Sequence, residues 1–303
     1  MSKMAINFCG IEFNNPVFTA SGTFGFGREF AELYPLSELG GISCKGITLM
    51  PREGNPPPRI AESPSGILNA VGLQNPGADH FIEKDLPWLR TQNTGIIANI
   101  AGNTISDYVA LAEKFSQTDV DIIEMNISCP NVKQGGVAFG TSCDLVENIT
   151  SEVKKHCTKP LMVKLSPNVS SIADIARAAE SAGADALSLI NTLTGMRIDI
   201  KTRRPIIKNN TGGLSGPAVF PVAVRMVSDV YRAVKLPVMG MGGIASWQDA
   251  VEIMMAGASA IQVGTANFMD PYAAMKIAHG LKQYCDDNGL ESISQIVGCA
   301  ELW

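Results

Sequence analysis

Short, almost uninterrupted apolar runs recur along the chain, and most are followed by a longer stretch with helical periodicity. The runs fall at residues 17–21, 41–45, 96–100, 122–127, 161–165, 186–190, 237–241 and 260–263. They are rich in Val, Ile and Leu and show no alternation, so they read as strands buried on both faces, as in a parallel sheet. Helical spacing of apolar residues follows over 107–115, 172–181, 219–234, 247–256 and 272–284. Ser106, Ser171, Ser246 and Asp270 are expected N-caps, and Gly183 and Gly257 stand where helices should stop. Eight strands alternating with helices in 303 residues predict an α/β fold, a closed (β/α)8 (TIM) barrel forming one domain over 1–303. Residues 6–13 read as an N-terminal hairpin closing the barrel's bottom. Two insertions interrupt the alternation: 48–75, rich in Pro and Gly, and 195–216, polar and Gly-rich. Both follow strand C-termini, the face where such barrels carry their sites.

Composition narrows the picture further. With 24 basic and 29 acidic residues there is no cationic excess for nucleic acid. The opening Met1-Ser2-Lys3-Met4-Ala5-Ile6-Asn7 has no apolar core or cleavage site of a secretory signal. No run reaches the ~20 apolar residues that cross a membrane, so a cytoplasmic protein is expected. Cys9, Cys44, Cys129, Cys143, Cys157, Cys285 and Cys299 form no C-x-x-C pair, and the three His are isolated. Most of these thiols read as reduced and buried, and no metal site is expected.

The apolar runs finish in polar residues: Ser21, Lys45, Asn99, Asn126, Lys164, Asn191, Gly242 and Thr265. Converging amides and ammonium groups on an apolar platform need partners, because an unpaired buried polar group costs ~1–3 kcal/mol. A planar, heteroatom-rich ligand supplies them. The segment Gly240-Met241-Gly242-Gly243-Ile244-Ala245 matches a dinucleotide fingerprint, but the following strand carries no acidic residue, which excludes that reading. In a barrel the same glycines, with Gly264 and Thr265, suit a phosphate held on backbone N–H groups; the alternative is a tight glycine turn. One phosphate beside Lys and Asn suggests a mononucleotide cofactor. Lys45 and Lys164 would stabilise charge on a reduced ring, unless they are merely solvated. In Glu124-Met125-Asn126-Ile127-Ser128-Cys129-Pro130-Asn131, a Cys stands just past a strand end. Its thiol, ordinarily near pKa ~8.5, becomes a base once a cationic site lowers that value; otherwise it is a packed small hydrophobe. Asn69, Asn99, Asn126 and Asn191 offer donors and acceptors suited to a pyrimidine-dione, although singly an Asn near Gly or Pro is turn chemistry.

Longer matches add a resemblance. They are Ala-Ser-Gly-Thr-Phe-Gly at 20–25, Lys-Gly-Ile-Thr at 45–48, Arg-Glu-Gly-Asn-Pro-Pro-Pro-Arg at 52–59 and Asn-Ala-Val-Gly-Leu-Gln-Asn-Pro-Gly at 69–77. Further along come Ala-Asn-Ile-Ala-Gly at 98–102, Asn-Ile-Ser-Cys-Pro-Asn at 126–131, Val-Lys-Leu-Ser-Pro-Asn at 163–168, Gly-Leu-Ser-Gly-Pro at 213–217 and Val-Gly-Thr at 263–265. Along nearly its whole length the chain resembles the class 1 dihydroorotate dehydrogenases, flavin enzymes of pyrimidine synthesis. The resemblance implies FMN over the barrel mouth, held by Ser21, Lys45, Gly46, Asn99, Asn126, Lys164, Ile190, Gly216, Gly242, Gly243, Gly264 and Thr265. It implies dihydroorotate or orotate on Lys45, Asn69, Ala70, Val71, Gly72, Leu73, Asn126, Asn191 and Thr192. Cys129 takes the position of the base that removes the C5 proton, with hydride passing from C6 to flavin N5 and Lys45 spanning substrate and flavin. Residues 131–141 are expected to close over the substrate.

Class 2 enzymes use Ser at the base position and carry a membrane extension, so the Cys points to class 1. The wording Asn-Thr-Leu-Thr-Gly-Met-Arg-Ile-Asp at 191–199 resembles the NAD-linked form, class 1B. That form implies a homodimeric core joined to an electron-transfer subunit carrying FAD and a 2Fe-2S cluster, a heterotetramer. The lack of a cluster-type Cys set here fits. The fumarate-linked homodimer, class 1A, stays as the alternative, and more remotely a flavin-free phosphate-binding lyase or isomerase. The basic run Arg197, Lys201, Arg203, Arg204 and Lys208 either steers anionic substrate, docks a partner, or is a solvated face.

Overall fold

A computed structural model of the chain describes residues 2–127 and 139–303. Eight parallel strands close into a barrel in chain order: β1 (Val17–Thr19), β2 (Gly41–Ser43), β3 (Gly95–Ile100), β4 (Ile122–Asn126), β5 (Leu161–Lys164), β6 (Ala186–Leu189), β7 (Val238–Met241) and β8 (Ala260–Val263). β8 closes on β1 with Ile261 opposite Val17 and Val263 opposite Thr19. Every strand residue except Gly95 is buried, which is why the sequence shows runs rather than alternation. Asn99, Asn126 and Lys164 are still in the ladder near the ends of β3, β4 and β5, while Ser21, Lys45, Asn191 and Thr265 lie just past their strands, and all of them line the mouth.

Helices cover the outside. Ile105–Ser116 buries Tyr108, Leu111, Ala112 and Phe115, one stripe at helical spacing. Ile172–Ser181 and Trp247–Met255 start at the expected caps, where Ser171 accepts from the Asp174 N–H and Ser246 from the Asp249 N–H. Two expected caps are corrected. Thr104, not Ser106, caps the helix at Ile105, because its hydroxyl and the Asp107 carboxylate form a reciprocal capping box. Asp270 lies before the cap of Ala273–Asp287, which is Tyr272; its carboxylate instead accepts from the Tyr272 N–H in the preceding turn. Gly183 and Gly257 end their helices at φ of 91° and 127°. The helix Cys143–Lys155 escaped the periodicity reading, although Val146, Ile149 and Val153 form its buried stripe.

The N-terminal hairpin pairs Ile6–Phe8 with Ile11–Phe13. Phe13 stacks edge-on against Phe18, with ring centroids 5.0 Å apart. It also fills the space over Gly95 at the start of β3: a Cβ there would lie 2.5 Å from the ring and 2.7 Å from the Gly40 carbonyl oxygen. The hairpin therefore plugs the N-terminal end.

The two insertions come together beside the barrel. They form one antiparallel sheet in the order Leu193–Gly195, Gly212–Ser215, Gly66–Asn69, Ile60–Ser63. Gly213 pairs with Asn69 and Ser215 with Ile67, across more than a hundred residues of chain. Their glycines serve that pairing, since a Cβ on Gly66 would stand 2.3 Å from the Ser215 carbonyl oxygen. The sheet rises beside the C-terminal mouth.

Gly95→Val should lower the unfolding free energy by about 1–3 kcal/mol, the usual range for overpacking. Urea unfolding of the variant against wild type measures this, and equal midpoints would remove the plug assignment.

Candidate active site

The site is built on a charge inside the barrel. Glu124 on β4 is fully buried. Its carboxylate accepts from Ser43 Oγ at 2.7 Å and Asn99 Nδ2 at 2.5 Å through one oxygen, and from Ser188 Oγ at 2.7 Å and Gln262 Nε2 at 3.1 Å through the other. These donors come from β2, β3, β6 and β8. Burial alone would push the Glu124 carboxyl up, but the Lys164 charge and the bonds from Asn99, Ser43 and Ser188 outweigh it and hold the group below the usual carboxylate range.

The register β4–β5 sets Asn126 opposite Lys164 and Glu124 opposite Met162. Inward residues alternate, so Asn126 and Lys164 stand one layer above Glu124, toward the mouth. A chain of amides follows: Asn191 Nδ2 donates to Asn126 Oδ1 at 3.3 Å, and Asn126 Nδ2 donates to Asn99 Oδ1 at 3.4 Å. Asn191 Oδ1 accepts from the Thr192 N–H at 2.8 Å, and Tyr108 OH donates to the Asn126 carbonyl oxygen at 2.7 Å. The strand ends are thus held from beneath before any ligand is considered.

One cavity opens above this layer. Ser21, Lys45, Gly46, Asn69, Val71, Leu73, Asn99, Asn126, Lys164, Ile190, Asn191, Thr192, Gly242, Gly243, Gly264 and Thr265 all line it. Three other expected residues do not. Ala70 is fully buried against Leu68 and Ile207. Gly72 shapes the loop from behind, at φ 80° with Asn55 2.6 Å from where a Cβ would be. Gly216 borders the neighbouring groove with Gly243 and Thr265. Cys129 and residues 128–138 lie outside the described residues. Sequence reading missed the apolar wall of Ile60, Ile67 and Leu214, which the insertion sheet contributes. It also missed Gln262, whose signal was a lone amide inside the apolar run of β8. Gln262 Oε1 is buried without a hydrogen-bond partner among the described residues.

At the ends of β7 and β8 the backbone itself lines the cavity. Gly242 and Gly243 have φ of 120° and 81°, and a Cβ on Gly243 would stand 2.8 Å from the Phe220 nitrogen. Among the described residues, the N–H groups of Gly242, Gly243, Gly264 and Thr265 donate to no protein acceptor. A cluster of N–H groups of this kind is suited to an oxyanion. Thr265 Oγ1 is tied to Ser215 Oγ at 2.8 Å, which joins this corner to the insertion sheet.

The basic run is exposed throughout, and Arg197 Nη1 donates to the Glu62 carbonyl oxygen at 2.7 Å. It edges the insertion sheet and does not line the cavity.

A family model described as dihydroorotate dehydrogenase matches residues 3–285. A protein of Petrotoga mobilis named dihydroorotate dehydrogenase B (NAD(+)), catalytic subunit, is 53% identical over 98% of this chain and 99% of its own. Proteins of the same name from Geotalea uraniireducens and Thermoanaerobacter pseudethanolicus are 54% and 55% identical, covering 97% and 99% of this chain and the same shares of their own.

Glu124 ionises more readily folded than unfolded, so its contribution to stability is present above the ordinary carboxylate value of ~4.3 and is lost as pH falls toward its lower folded value. Urea unfolding between neutral and acid pH should therefore lose stability less steeply in Glu124→Gln than in wild type; parallel curves would contradict the direction of the shift.

Proposed function

The chain belongs to the dihydroorotate dehydrogenase family, and we propose that it oxidises (S)-dihydroorotate to orotate as the FMN-bearing catalytic subunit of an NAD-linked assembly. The observation that carries this reading is one cavity at the barrel mouth, lined by two lysines, four asparagines and a cluster of N–H groups that donate to no acceptor among the described residues.

The residues present fit FMN. The N–H groups of Gly242, Gly243, Gly264 and Thr265 suit its phosphate. The buried Gln262 Oε1 lacks a donor that a flavin ring can provide, and the Lys164 ammonium is a cation beside the cavity. Ser21, Lys45, Gly46, Asn99, Asn126, Ile190 and Gly216 complete the proposed set. Bound there, FMN supplies the acceptor for hydride from dihydroorotate C6.

The other tasks fall to the chain. Asn69, Asn126, Asn191 and Thr192 offer the alternating donors and acceptors of a pyrimidine-dione, and their mutual bonds fix the amides before the substrate arrives. Val71, Leu73, Ile60, Ile67 and Leu214 are apolar walls that keep water from the ring. The positive charge of Lys45 draws the substrate carboxylate and spans toward the cofactor side, and Ala70 and Gly72 hold the loop that carries Val71 and Leu73. Cys129, placed by sequence just beyond Asn126, takes the proton from C5 as a thiolate.

We read the whole chain, residues 1–303, as one FMN-binding domain acting in the cytoplasm. No described helix is long and apolar enough to cross a membrane. The name "catalytic subunit" carried by the relatives supports a separate partner subunit; in our reading a homodimeric core joins that partner, which bears FAD and a 2Fe-2S cluster. That subunit carries the electrons to NAD+.

The decisive experiment is co-expression of the chain with its electron-transfer subunit. Purified protein should release FMN on denaturation and reduce NAD+ with dihydroorotate. Colourless protein would overturn the reading, and an isolated homodimer that reduces fumarate would replace the NAD-linked form with the fumarate-linked one. Cys129→Ser should keep FMN while turnover falls about 10²–10⁴-fold, the usual worth of a general base; flavin reduction at wild-type speed in stopped flow would remove Cys129 from the mechanism.

A further inference from the structure

Among the described residues, Glu124 is the one charged residue in the barrel interior that the proposed reaction does not use. It does not line the cavity, yet four donors converge on its carboxylate at the centre of the fold and favour its ionised form. Burying such a charge is costly, and the countercharge is Lys164, itself only 5% exposed. The two do not meet: among the described residues no ion pair within 4.0 Å joins them, and Lys164 donates no hydrogen bond to another described residue.

The reason lies in the carboxylate's own partners. An ionised carboxylate has about four lone-pair sites. Ser43 and Asn99 occupy one oxygen, and Ser188 and Gln262 occupy the other. All four donors are neutral, so they satisfy the oxygens without cancelling the charge. A saturated carboxylate has no vacant site with which to draw the ammonium down, while its field still acts on Lys164 one layer above.

We propose that Glu124 is a positioning residue acting through Lys164: it balances the lysine's charge from beneath without capturing its ammonium, which leaves the Lys164 donors to the bound cofactor. The proposal rests on the reading that the cavity holds FMN. It assigns Ser43 and Ser188 a purpose as well, since each fills a site on Glu124 that the ammonium would otherwise take.

The sign of the consequence is fixed by electrostatics. Reduction adds negative charge to the flavin, and Glu124 opposes that through space while offsetting the lysine that favours it. In Glu124→Gln the side-chain shape is kept and the charge is gone, so Lys164 acts uncompensated.

The test is the midpoint potential of the FMN-loaded complex, titrated with a redox dye. The variant should be easier to reduce: at a fixed potential its ratio of reduced to oxidised flavin should rise about tenfold, about 30 mV for a two-electron couple. A merely structural role for Glu124 would cost stability or FMN occupancy without raising the potential. Equal or lower potential in a flavin-loaded variant overturns the proposal and leaves the proposed function intact, whereas wild-type protein without flavin overturns both. If Glu124→Gln does not accumulate, Ser188→Ala decides. It keeps the charge but opens one site on the carboxylate, so the ammonium is drawn down and the FMN dissociation constant should rise about tenfold; unchanged FMN affinity overturns the proposal.

Discussion

A carboxylate at the centre of the barrel takes hydrogen bonds from four strands besides its own. An ion in that position, with even one of its oxygens unsatisfied, would be severely destabilising. Ser43, Asn99, Ser188 and Gln262 meet it only if β2, β3, β6 and β8 hold one register relative to β4. A slip of one residue in any of them would turn its donor outward and an aliphatic side chain inward. The charge therefore rewards a single closed arrangement, and the layer above inherits its geometry. Asn126 and Lys164 are two residues further along β4 and β5 from the carboxylate's level, and Asn99 belongs to both layers because its NH₂ serves Glu124 while its oxygen serves Asn126.

The mouth above is a surface for anions with an apolar wall on one side. Lysines and backbone N–H groups approach it from different strand ends, and the insertion sheet closes the side they leave open. Each contributes what the other cannot: the barrel rim fixes polar groups to within the tolerance of a strand ladder, while the sheet excludes water. The link between them is physical and local, through Thr265 with Ser215 and Asn168 with the Thr192 carbonyl oxygen at 3.0 Å.

Much of this was legible in the chain itself. The eight strands, their order and the face that carries the site follow from apolar runs ending in polar residues. Ser171, Ser246, Gly183 and Gly257 mark helix ends by purely local rules. Other features were hidden because their cause is distant. The strand Gly66–Asn69 exists because Gly212–Ser215 pairs with it, and nothing near either segment announces that partner. Thr104 displaced Ser106 as a cap because Asp107 completes a reciprocal pair with it. Ala70 and Gly72 belong to a motif whose neighbours reach the cavity while they themselves support it from behind.

The sequence alone determined the barrel, the ring of polar strand ends and the chemical character of the mouth, because hydrophobic period and strand-end polarity act over a few residues. Tertiary structure decided that Glu124 ionises more readily than a free carboxyl, that Lys164 meets no hydrogen-bond acceptor among the described residues, and that two distant glycine-rich insertions become one wall. Those outcomes depend on which groups meet across strands far apart in the chain, and a buried charge takes its state only from the neighbours that surround it.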